Sequence, residues 1–129
     1  MTTLQTLAAS EQLFYLASPY ARYPGGKNLA FRQVCSISAD LLRAKVAHFC
    51  PIAQNHPVAL YGHVDATDHS FWIPADIPLM KRCDALLIAE MTGWRESVGI
   101  AMEIEAFKDM RKPIWRLDPQ TLVVVAHDE

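Results

Sequence analysis

The segment ALLIAEM, residues 85–91, constrains the fold more than any other stretch. It is a short apolar run without alternation, which reads as a strand buried on both faces. Residues 13–18, LFYLAS, repeat that pattern and stop at Pro19. A sheet built from such strands needs helices on both sides, and helical patterns lie between them. After the loop PYARYPGGK, the residues Phe31, Val34, Cys35, Ser38, Leu41, Leu42 and Lys45 recur at the helical period, with Asn28 as the candidate cap. VAHFCPI is a second strand candidate, and WIPADIPLMKRC a short helix with Asp76 in its first half. A helix over 97–110 ends at Arg111, Lys112 and Pro113 in the manner of helix stops. PIWRLD and TLVVVA are further strands around an Asp118-Pro119 turn, and residues 53–71 read as an irregular region. Apolar strands alternating with helices imply βαβ units. The expected architecture is one three-layer α/β domain over residues 1–129, flavodoxin- or Rossmann-like, with a mainly parallel sheet of about five strands. Residues 1–11 are a candidate flexible segment.

A chain of 129 residues can bury a core without a disulfide or a structural metal. Cys35, Cys50 and Cys83 are scattered and odd in number, which suits reduced thiols and a cytoplasmic location. The start MTTLQTLAASEQ lacks the basic and apolar regions of a secretion signal. No apolar run is long enough for a membrane span. A net charge of −2 argues against nucleic acid as a partner, but a mononucleotide needs only a local basic spot.

In such sheets ligands bind outside the carboxyl ends of strands, near a switch in strand order. That rule selects the loop after the first strand, the irregular region after the second, and MTGWRES after the third. In the following helix Ile100, Ala101, Ile104, Phe107 and Met110 form one apolar arc. Glu105 points away from the arc, whereas Glu103 lies within it. A carboxylate against an apolar wall is costly unless paired or protonated, so Glu103 either reaches water at the rim or has chemistry to perform. Ser97 stands at the helix N-terminus, where it can cap the helix, leave backbone N–H groups for an anion, or do both. Arg22 and Lys27 flank Gly25-Gly26, a flexible pair that lets backbone approach a phosphate, although a Gly-Gly turn is also common in ordinary loops. His56, His63, Asp65, Asp68 and His69 are metal-ligand types at a spacing that matches no metal motif, so a polar lid is the plainer reading. Trp72 and Trp94 can stack on a flat ring or serve as packing anchors.

YLASPYARYPGG, then IPADIPLMKRCDALLIAEMTGWRESVGIAMEIEA, then KPIW, resemble the nucleoside 2-deoxyribosyltransferase-like superfamily. The chain looks closest to its small relatives of unassigned function and is similar to its nucleoside 5′-monophosphate N-glycosidases. The likeness is carried by Asp76, Asp84, the LLIAE run, Ser97, Gly99, Glu103 and Ala106, and spans most of the chain. It implies that Glu103 is the nucleophile at the anomeric carbon, that Tyr15 hydrogen-bonds it, and that Asp76 contacts sugar or base and delivers a proton. It implies substrate contacts from Ser18, Arg22, Gly25, Gly26, Ser97 and Gly99, with Ser97 near a 5′-phosphate. No cofactor or metal is implied. A homodimer or higher homo-oligomer is implied, since sites in the family are often completed by a neighbouring subunit. The expected activity is cleavage of an N-glycosidic bond, hydrolysis of a nucleoside monophosphate ahead of deoxyribosyl transfer. A non-catalytic nucleotide sensor on the same fold is the alternative from another class.

Overall fold

The computed structural model describes residues 2–127. Its order is β1 (Thr2–Thr3), α1 (Leu4–Ala9), β2 (Phe14–Ala17), α2 (Lys27–Arg43), β3 (His48–Phe49), α3 (Pro51–Gly62), α4 (His69–Arg82), β4 (Ala85–Ala89), a 3-10 turn (Trp94–Glu96), α5 (Val98–Asp109), β5 (Ile114–Leu117) and β6 (Val123–Ala126). The strands form one sheet in the order β1-β6-β5-β4-β2-β3. β3, β2, β4 and β5 run parallel, while β6 and β1 join antiparallel at the far edge. The sheet therefore has six strands rather than about five, because residues 2–3 pair with Val123 and Val124.

The apolar runs of β2 and β4 are buried throughout. Strand side chains alternate between faces, and each run divides accordingly. Phe14, Leu16, Ala85, Leu87 and Ala89 pack with Leu4 and Leu7 of α1 and Val34, Ile37 and Leu41 of α2. Tyr15, Ala17, Leu86 and Ile88 pack with Ile100 and Phe107 of α5. Two apolar layers against one sheet give the three-layer α/β fold. Asp84 fastens β4 to the start of β2: its carboxylate accepts from Leu13 N–H at 2.8 Å and its own N–H donates to Leu13 O at 2.7 Å.

Three regions differ from the sequence expectation. Residues 4–9 form a helix whose Leu4 and Leu7 belong to the core, so the N-terminal stretch is built into the domain. VAHFCPI supplies only the two-residue edge strand β3. Residues 53–62, expected to be irregular, belong to α3, which starts on Pro51 and ends at His63 in the left-handed conformation, φ 57°. Proline at the first turn costs no hydrogen bond, and burial of Pro51 and Ala59 outweighs the weak propensity of Asn55, Pro57 and Gly62. α4 likewise begins at His69, three residues before the expected start. Among the described residues no helix is long and apolar enough to cross a membrane.

Candidate active site

From β2 the chain crosses to β3 on one side and then returns to β4 on the other, so the loops leaving β2 and β4 diverge. A crevice is forced there. It is occupied by a cavity of about 650 Å³. Tyr15, Ser18, Arg22, Asp76, Ser97, Gly99 and Glu103 all line it, from β2, its following loop, α4 and α5. Gly25 and Gly26 do not reach the wall; they turn the chain into α2 with φ 91° and 101°, and Gly26 occupies the cap position given to Asn28 in the sequence reading. The N-cap of α5 is Ser97, whose Oγ accepts from Ile100 N–H at 3.2 Å.

Glu103 is half-buried with its carboxyl enclosed in the wall, while Glu105 is exposed. Desolvation raises the Glu103 pKa, the nearby Asp76 charge raises it further, and a hydrogen bond from the Tyr15 hydroxyl lowers it; the result is about 8. Asp76 is also raised, by burial, and Asn55 Nδ2 opposes that shift by donating to its carboxylate at 3.5 Å. Tyr15 is 1 % exposed and packs between Phe49 and Phe107, with ring centroids 5.9 Å away from each. Burial first, then the Glu103 and Asp76 charges, push the Tyr15 pKa far up, so its hydroxyl stays protonated and donates. Burial thus favours the protonated form of both carboxyls, and the Asp76 charge is felt at Glu103.

The side of the cavity near the loop after β2 is different. Ser18 is 7 % exposed and its Oγ has no hydrogen-bond partner among the described residues. Buried hydroxyls are nearly always paired, so this atom is left for a ligand. Arg22 is exposed on the same wall and has no ion-pair partner among the described residues. Ser97 and Gly99 at the α5 N-terminus line the same cavity, and these groups together favour an anion.

Sequence reasoning missed Asn55 and Tyr20. Tyr20 bonds His56 at 2.6 Å, and both line the cavity. The His/Asp run is dispersed: His56 pairs with Tyr20, His63 closes α3, Asp65 holds a turn through Thr67, and Asp68 accepts from Ser70. Among the described residues no group of three or more His, Cys, Asp or Glu could hold a metal ion. Trp72 lines the cavity and donates to Asp65 O at 2.9 Å. Trp94 is covered instead by the guanidinium groups of Arg95 and Arg116, 4.3 and 5.6 Å from its centroid.

No curated protein matches the chain. One family profile covers residues 12–118, a span that includes Tyr15, Asp76, Ser97 and Glu103 and leaves out only the sheet's antiparallel edge and the first helix. The chain therefore belongs to the family described as a domain of unknown function, DUF1937.

Proposed function

We propose that the protein cleaves the N-glycosidic bond of a nucleotide or nucleoside, with hydrolysis of a nucleoside 5′-monophosphate favoured over deoxyribosyl transfer. The observation that carries the reading is the two desolvated carboxyls Glu103 and Asp76, with the Tyr15 hydroxyl on Glu103, in the wall of one cavity of about 650 Å³. Bond cleavage at C1′ develops oxocarbenium charge, and a carboxylate below the ring stabilises it. In the proposed sequence Glu103 attacks C1′ as the carboxylate, the C1′–N bond breaks, and the base leaves with a proton from Asp76. Water then attacks C1′ of the glycosyl ester, Asp76 takes the water proton, and the sugar phosphate is released from Glu103.

Free Glu103, with its pKa near 8, is mostly protonated at neutral pH. In this reading Glu103 gives up its proton as substrate binds, with Asp76 as the proposed acceptor, and the positive charge developing at C1′ favours that transfer by stabilising ionised Glu103. Ser18 Oγ, Arg22 and the α5 N-terminus supply the phosphate end, and holding it there converts binding energy into orientation. A second copy of the chain is the proposed cover for α4 and α5. α4 has no buried residue, and the exposed apolar side chains Ile77, Val98 and Met102 on these two helices also line the cavity, so a second copy seated there would help to enclose it. Three free thiols fit a cytoplasmic setting.

The test is incubation of the common ribo- and deoxyribonucleoside monophosphates with wild type and Glu103→Ala, with free base followed by chromatography. Base release by wild type alone is expected. If wild type binds nucleotides and releases no base, the sensor reading replaces the enzyme.

A further inference from the structure

One constellation in the cavity wall has no part in bond cleavage. His56, on α3, is fixed from three directions. Its Nδ1 lies 2.6 Å from the Tyr20 hydroxyl, the Tyr20 ring meets it edge-on at 5.7 Å, and Phe31 stacks on one face at 4.4 Å and 18°. Tilting the ring out of its plane would break the stack, and flipping it would break the Nδ1 hydrogen bond. Nε2 takes no hydrogen bond from the described residues, although His56 lines the cavity. The neighbouring residue on α3, Asn55, reaches Asp76, so this stretch of helix lies beside the group that would protonate a departing base.

The direction of the Tyr20–His56 bond follows from elementary acidity. A phenol is a stronger donor than a neutral imidazole N–H, and an imidazole nitrogen is a stronger acceptor than a phenol oxygen. Burial holds Tyr20 protonated and His56 neutral, which keeps both in those forms. Tyr20 O–H therefore donates to Nδ1, and the single ring proton resides on Nε2.

We propose that His56, oriented by Tyr20 and Phe31, reads the nucleobase as a fixed Nε2–H donor and selects a base whose edge carries an oxo group over its amino-bearing counterpart. The inference rests on the nucleotide reading of the cavity. An oxo group accepts from Nε2–H. An amino group at that position sets donor against donor and leaves both unpaired in a desolvated site, which is the arrangement that discriminates best.

Binding to Glu103→Gln, which cannot turn over, separates this from catalysis. Calorimetry compares uridine with cytidine 5′-monophosphate and inosine with adenosine 5′-monophosphate. The oxo member of each pair is expected to bind about tenfold tighter, the scale of one well-placed hydrogen bond. Adding Tyr20→Phe frees the tautomer, and adding His56→Gln offers an amide that can present either sense. Both are expected to reduce the ratios to within about threefold while affinity for inorganic phosphate stays unchanged. Equal affinity within each pair, or ratios that survive both substitutions, overturns the proposal and leaves the glycosidase reading standing. Discrimination that persists in a wild type releasing no base sinks the glycosidase reading alone. Failure to bind any of the four nucleotides or their 2′-deoxy counterparts overturns the base-reading proposal and the nucleotide reading with it.

Discussion

Glu103→Gln tests the physical basis of the site without any substrate. The carboxyl's folded pKa is about 8 against 4.5 for the free group, so the native state holds that proton more tightly than the unfolded chain does. The stability this contributes is fully present below pH 4.5 and is lost as pH rises through about 8. Between pH 5 and 8 the linkage relation gives a loss of about 3.5 kcal/mol for a carboxyl wholly out of water. The residue is half-buried and the cavity admits solvent, so screening makes about 2 kcal/mol the working figure. Glutamine keeps the size and a hydrogen-bonding oxygen for Tyr15 but has no proton to lose. Urea unfolding followed by tryptophan fluorescence at pH 5, 6.5 and 8 gives the two stability curves. With urea m-values of about 1–3 kcal/mol/M, the wild-type midpoint should fall across that range by on the order of 1 M more than that of Glu103→Gln. Titrating groups that do not feel the Glu103 charge cancel in the difference. Parallel curves for the two proteins would show that the Glu103 carboxyl is solvated, and the argument for a desolvated carboxyl in the cavity wall would collapse.

Carbon-13 NMR of the Glu103 carboxyl should titrate near pH 8 in wild type and at lower pH in Asp76→Asn, because the Asp76 charge is one of the causes raising it; an unchanged midpoint would separate the two groups. Lys112→Met should destabilise the fold by about 1–3 kcal/mol, since Lys112 Nζ donates to Met80, Lys81 and Cys83 carbonyls at 3.4, 2.7 and 2.7 Å, and amide exchange should quicken in the last turn of α4 while β4 is unaffected. Ser97→Ala should cost about 1 kcal/mol of stability through the lost cap, and Ser97→Gly only a few tenths, while both raise KM for a nucleotide more than they change kcat.

The sheet was legible because its central strands leave little choice. FYLA and ALLIA, the strand segments of LFYLAS and ALLIAEM, are apolar at every position, and only a strand between two helical layers buries both faces of such a run. The helical arc around Ile100 and Phe107 located Glu103 for the same reason: a charged residue inside an apolar stripe is conspicuous in one dimension. α3 was not legible. Its Asn, His, Pro and Gly content reads as loop, and the helix is held by docking against α2 and β2, a tertiary effect with no trace in local propensity. The pairs Tyr20–His56 and Asn55–Asp76 were hidden differently. Their members lie 36 and 21 residues apart, and no periodicity connects a loop to α3 or α3 to α4. The glycines misled in the opposite sense, since Gly25-Gly26 answers a backbone need at the start of α2. At φ 91° and 101° any residue with a Cβ is strained, which is reason enough for both glycines.

The two acidic groups sit on elements held very differently, and that difference bears on how the pair could work. Glu103 is on α5, whose Ile100 and Phe107 are anchored in the core against Tyr15, Leu86 and Ile88. Asp76 is on α4, which has no buried residue, carries Pro74 and Pro78 within it, and is fastened mainly at its C-terminal end by Lys112. Each internal proline removes a backbone hydrogen bond, so α4 is the weaker helix by construction. The nucleophile candidate is therefore fixed and the acid candidate is adjustable. Any outward displacement of α4 weakens the Asp76 charge felt at Glu103 and lowers the proton affinity of Glu103, while admitting water lowers it further by relieving desolvation. Closure does the reverse. The proton balance of the site is thus coupled to the position of the least anchored helix, and a ligand that bridges Trp72 on α4 to Ser97 at the start of α5 would act on both at once.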